Sequence, residues 1–170
     1  SPYCCAGGGL SGGLAIRRAV VGDAALIHAL VCELAEYEKL RHEVDASAET
    51  LARALFCEAP RAYCDVAEWD GEPAGFALWF YNFSTFRGQH GIYLEDLFVR
   101  PAFRGKGLGK ALLVHLAQRA VAEGCARFEW SVLDWNAPSI AFYKSLGAVA
   151  MDEWTGFRVT GDALARLAEA

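Results

Sequence analysis

Apolar and polar positions alternate in blocks along the 170-residue chain, and the block period predicts the elements. Leu14 to Val20 suits a first strand. Gly22-Asp23 then offers a turn and a helix cap, and Leu26, Leu30, Leu34 and Tyr37 fall at helical spacing, predicting a helix over Ala24 to Lys39. A second helix is expected from Ser47, with Thr50 as a rival start, through Cys57, and Pro60 ends it. Tyr63 to Trp69 reads as a strand. Asp70-Gly71 is a hairpin signal, and aromatic-rich Ala74 to Phe83 is the return strand. After a loop over Ser84 to His90, Ile92 to Val99 is a strand and Gly107 to Glu123 a helix stopped by Gly124. Arg127 to Leu133 is a strand. Asn136 to Leu146 is a helix with Asn136 as its cap and Gly147 as its stop. Two short strands and a last helix are expected to finish the chain.

This order is a hairpin meander followed by strand–helix–strand–helix–strand. The unit over 92–133 must cross over in parallel and right-handed fashion. A single α/β domain with a mixed sheet follows, over 14–170. The Gly-rich opening, 1–13, reads as a flexible tail of native or added origin.

Composition narrows the class. Hydrophobic content of 54% with 22% charged residues fits an ordinary globular protein. A net charge of −5 with no basic block speaks against nucleic acid as a partner. No run approaches the roughly 18 apolar residues of a membrane span, and the opening lacks a secretory pattern; a cytoplasmic location away from membranes is expected. Cys4, Cys5, Cys32, Cys57, Cys64 and Cys125 form no C-x-x-C pair, and His28, His42, His90 and His115 show no metal spacing, so no metal is expected.

The chemistry concentrates in "VRPAFRGKGLGKALL", Val99 to Leu113. Here a strand turns into a helix whose first backbone N–H groups have no partner within the helix and carry partial positive charge. Gly105, Gly107 and Gly109 remove side chains that would block an approaching anion. Arg104, Lys106 and Lys110 add formal charge. The combination describes a cradle for phosphate, most naturally a diphosphate. It is neither a P-loop, because Ala111 follows Lys110 where a hydroxyl is needed, nor a dinucleotide fingerprint, because the spacing is G-x-G-x-G.

The segments "ELAEYEKL", "GIYLEDLFVRPAFRGKGLG" and "LDWNAPSIAFYKSLGA" resemble the GNAT N-acetyltransferase superfamily. Within it they resemble the spermidine/spermine (diamine) and thialysine group, over roughly Ala15 to Thr160. The resemblance implies a GNAT α/β fold: one mixed, mostly antiparallel central sheet, flanked by helices, with a splayed parallel strand pair. It implies acetyl-CoA as co-substrate and transfer of the acetyl group to a primary amine of a small cation by direct attack in a ternary complex. Leu97, Phe98 and Val99 then meet the acetyl-CoA arm at a bulge. Arg104, Gly105, Lys106, Gly107, Leu108, Gly109 and Lys110 take the diphosphate, and Asn136 and Ser139 lie near the cofactor or cap a helix. Tyr143 is the expected acid for the departing thiolate, since a phenol with a pKa near about 10 can protonate it. Glu95 is the expected base and cation partner. Its neighbour Asp96 should face the other way, because strand residues alternate. Tyr37, Glu38, Glu129, Trp130 and Ser131 are expected at the substrate mouth, with Arg41 and Arg87 available to an amino-acid carboxylate. Thr155 stands where the polyamine enzymes carry an acid, which favours a shorter amine such as a lysine-like amino acid or a small diamine. A homodimer is implied by the resemblance alone. A non-catalytic CoA-binding regulator and a protein-lysine acetyltransferase are the alternatives.

Overall fold

The computed structural model describes residues 13–170; residues 1–12 of the tail expected over 1–13 lie outside the described residues. The chain forms two compact units, one ending at Ser131 and the other spanning Val132–Ala170. The first contains β1 (Leu14–Arg18), α1 (Ala24–Tyr37), α2 (Ala48–Leu55), β2 (Tyr63–Trp69), β3 (Glu72–Ser84), β4 (Gln89–Val99), α3 (Leu108–Ala122) and β5 (Phe128–Trp130). The second contains α4 (Ala137–Ser145) and α5 (Gly161–Ala168).

The sheet order is β1-β2-β3-β4-β5. The first four strands are antiparallel neighbours and β4–β5 is parallel, joined through α3. Local chemistry sets the joints. Asp70 and Gly71 both take positive φ, 50° and 80°, as a tight hairpin turn of the mirror-image type requires. Ser47 caps α2: its hydroxyl accepts from the Thr50 N–H at 3.2 Å, and the Thr50 hydroxyl accepts from the Ser47 N–H at 2.9 Å. Both candidate starts therefore belong to one capping box.

Each face of the sheet buries its own layer. Ile27, Leu30 and Leu34 of α1 and Leu55 of α2 pack with Val66, Phe76 and Phe98 on one face. On the other face, α3 buries Leu108, Leu112 and Leu116 and sets Arg119 over the Trp79 ring at 5.2 Å. That layer also contains Asp65, only 1% exposed, which accepts from Trp79 Nε1 at 2.7 Å and faces Arg18 and His115 at 3.5 and 3.7 Å. Arg17 grips Asp23 through both terminal nitrogens, at 2.7 and 2.9 Å, and Glu68 through Nε at 2.7 Å, which ties β1 to the entrance of α1.

The expected strand over Arg127 to Leu133 shrinks to the three residues of β5. The two strands expected after Gly147 are absent among the described residues: 148–160 is irregular apart from a turn at Asp152 and Glu153. A strand pair without a third partner is marginal in water, and Gly156 falls inside its second half.

Candidate active site

The register of β3 against β4 shifts once. Trp79 pairs with Leu94 and Leu78 with Asp96, so Glu95 is an extra residue, a β-bulge. The bulge reverses the side-chain parity of β4. Leu94 lies with Trp79 on the α3 face, whereas Asp96 and Phe98 lie with Leu78 and Phe76 on the α1 face. Pairing with β5 covers only Ile92–Leu94 against Phe128–Trp130. Beyond Leu94, β4 keeps β3 on one side and, among the described residues, has no strand on the other. Leu97, Phe98 and Val99 occupy that open edge. Gly75, opposite Val99, allows the close approach of β3, since a Cβ there would overlap the Phe98 carbonyl oxygen.

Glu95 is exposed at the bulge and Asp96 is half-buried. Burial pushes the Asp96 carboxyl up to about 7, helped by the charges of Glu95 and Glu38. Burial also raises Glu38, at the C-terminus of α1. The carboxyl groups of Glu95 and Glu38 thus act on that of Asp96 at the β4 bulge, an arrangement whose natural complement is a cation.

After β4, a short turn over Pro101–Phe103 leads to Arg104 and the glycines. Gly105 and Gly107 both have φ of 81°, and a Cβ on either would meet open space. The conformation, and not crowding, is what demands glycine there. Gly109 is ordinary, since a Cβ would only touch Val99 Cγ2 at 4.0 Å. The first backbone bond of α3 is Ala111 N–H to the Gly107 carbonyl at 3.0 Å, so the N–H groups of Leu108, Gly109 and Lys110 precede the intrahelical ladder. Arg104 Nε donates to the Val99 carbonyl at 3.0 Å, and its guanidinium lies over the rings of Tyr37 and Phe98 at 5.1 and 5.7 Å. Lys106 lies over Trp69 at 5.0 Å. Lys110, in the first turn of α3, is exposed. Bare amides, two left-handed glycines and three cations fit a diphosphate.

The remaining expected residues fall into separate settings. Tyr37 joins the cradle as the platform under Arg104. Glu129 is already answered by positive and polar partners: Arg127 Nε donates at 2.6 Å and Asn82 Nδ2 at 3.0 Å. Ser131 exchanges a hydrogen bond with the Tyr93 hydroxyl at 2.7 Å. Trp130 packs on Phe128, with ring centroids 5.0 Å apart. Arg41 and Arg87 are exposed. In the second unit, Asn136 caps α4 by accepting from the Ser139 N–H at 3.3 Å. Tyr143 is half-buried on that helix, with the Phe142 ring 5.8 Å away. Strict alternation hides Asp96, because it gives two adjacent acids opposite faces. The available signal was the acid pair itself inside an apolar strand, which a bulge accommodates.

The acetyltransferase (GNAT) family model matches residues 27–148. A thialysine N-epsilon-acetyltransferase of Bos taurus is 41% identical, over 90% of this chain and 96% of its own length. An L-ornithine N5-acetyltransferase of Arabidopsis thaliana is 32% identical over 88% and 85%. Among solved structures, an integron cassette protein from the mobile metagenome of V. cholerae superposes with a TM-score of 0.78 at 30% identity, over 93% of this chain and 99% of that one.

Proposed function

This chain belongs to the GNAT acetyltransferase family, and on that premise we propose that it acetylates the side-chain amine of a small cationic amino acid of the thialysine or ornithine class, or of a short diamine. The observation that carries the reading is the junction of the interrupted β4 edge, its acids and the glycine-lined entrance of α3. Relatives named for thialysine and for ornithine support the substrate class.

Acetyl-CoA, when bound, supplies an acetyl group activated as a thioester. The chain's own residues do the rest. The amides of Leu108, Gly109 and Lys110, with Arg104 and Lys106, hold the diphosphate. The open backbone edge over Leu97 to Val99 orients the acyl arm and offers N–H groups to a carbonyl oxygen. A substrate ammonium, with a pKa near about 10, must shed a proton before its nitrogen can attack. Asp96, with its carboxyl raised to about 7, and exposed Glu95 attract the cation and take that proton to solvent. The Tyr143 phenol would give its proton to the departing thiolate sulfur and would be reset by the second proton that the amine nitrogen sheds as the amide forms. Attack is direct, without an acetylated cysteine, and the assembly is a homodimer.

Purified protein given acetyl-CoA and a panel of thialysine, L-ornithine, L-lysine, short diamines and spermidine tests the reading. The expected result is release of CoA thiol and gain of one acetyl group on the short amines, faster than on spermidine. Release with none of them contradicts it.

A further inference from the structure

The far end of the β4–α3–β5 unit carries a cluster that the acetyl-transfer site does not use. One nitrogen of His90, one carboxylate oxygen of Glu123 and the sulfur of Cys125 all lie within 4.8 Å of one another. His90 is the second residue of β4, five positions before the bulge at Glu95. Glu123 closes α3, and Cys125 stands just before β5. Nothing in their sequence spacing suggests a site, since the fold alone brings position 90 beside 123 and 125. Gly124, left-handed at φ 70°, reverses the chain between the two latter residues. Backbone bonds then fix both sides: Ala126 N–H to the His90 carbonyl at 3.0 Å, and Cys125 N–H to the Ala120 carbonyl at 2.8 Å.

We propose that His90, Glu123 and Cys125 form a zinc(II) site that clamps the start of β4 to the end of α3. Imidazole, thiolate and carboxylate together suit a borderline-soft ion and not magnesium or calcium. Bond lengths of about 2.0–2.3 Å place tetrahedral ligand atoms about 3.3–3.6 Å apart, so no pair of ligand atoms closes by more than about 1.5 Å, a side-chain adjustment. Three protein ligands leave the fourth position to water. A supporting layer is in place around the carboxylate. The Tyr81 hydroxyl donates to Glu123 Oε2 at 2.6 Å and Arg119 to Oε1 at 3.2 Å, which leaves lone pairs for a metal on each oxygen. The Tyr81 ring also stands edge-on to His90, with centroids 5.2 Å apart. On binding, the Cys125 thiol gives its proton to solvent and no oxidant or reductant is needed. The site is independent of the acetyl-transfer reading and of its substrate.

Cobalt(II) titration of the full, reduced chain, followed by displacement with zinc(II), tests the proposal. The expected result is one equivalent bound, with a sulfur-to-cobalt charge-transfer band and the ligand-field bands of a tetrahedral ion, both removed by stoichiometric zinc. Zinc should raise the unfolding temperature of the wild type and leave that of Cys125→Ser unchanged. Cys125→Ser should lose the charge-transfer band and His90→Asn the tetrahedral pattern, while Tyr81→Phe weakens binding about 10- to 100-fold. A band that persists in Cys125→Ser places the metal on another thiol and overturns the proposal. So does octahedral cobalt, binding that never saturates, or equal affinity in wild type, Cys125→Ser and His90→Asn.

Discussion

Replacing Asp96 by asparagine separates stability from function at the interrupted strand. Burial holds the Asp96 carboxyl near 7 instead of 3.8. In the unfolded chain it ionises at its ordinary value. Between those two pH values the folded state keeps a proton that the unfolded state has released, so stability is fullest below about pH 4, falls as pH rises, and levels off above about pH 7. Three pH units at about 1.4 kcal/mol each give about 4 kcal/mol, and partial access of water to this half-buried group lowers the effect to about 2–4 kcal/mol. Asp96→Asn cannot ionise and lacks that loss. Paired urea denaturation of both proteins at about pH 4 and about pH 8 should show little difference at the lower value and a variant more stable by about 2–4 kcal/mol at the higher. Amine acetylation by the variant should meanwhile drop about 10²- to 10⁴-fold. A stability difference that is the same at both pH values would refute the reasoning, because the cost of the buried charge would then not exist.

Three further outcomes follow from particular residues. Tyr143→Phe should lower turnover by about 10²-fold or more with CoA affinity unchanged, in steady-state rates and direct titration; equal loss of both would remove the acid role. Gly107→Ala and Gly71→Ala put a Cβ on backbones of nearly equal φ, 81° and 80°. Each should cost about 1–2 kcal/mol in thermal unfolding, but only the change at Gly107 should weaken CoA binding. Trp79→Phe removes the 2.7 Å donor from nearly inaccessible Asp65, and calorimetry should show a loss of about 1–3 kcal/mol.

Much of the fold is local and therefore readable. The Tyr63–Trp69 strand, the Asp70-Gly71 turn, the Ser47 and Asn136 caps and the Gly124 stop each answer to short-range chemistry, and the structure places them where the pattern does. The glycine-and-cation entrance to α3 is readable for the same reason, since unpaired helix-start amides need no partner from elsewhere in the chain. What escapes is set by distant pairing. Whether Glu95 or Asp96 faces the α1 layer depends on one extra residue in β4 relative to β3, and no alternation within β4 reports that. Glu129 looks like a free acid until Arg127 and Asn82 are found on it. Tyr37, expected at the substrate mouth, also has the Arg104 guanidinium over its ring, a contact between distant segments that no local pattern reports. The two strands expected after Gly147 have apolar residues of the right kind, but a strand forms only on a partner edge.

Calorimetric titration of coenzyme A into the wild type and into the Arg104→Ala, Lys110→Ala double variant, with pantetheine as the ligand that lacks the diphosphate, tests the central claim most directly. The double variant is expected to lose about tenfold or more in affinity for coenzyme A, from one or more charge-assisted contacts, and to lose nothing for pantetheine. Equal affinity of the two proteins for coenzyme A would contradict it.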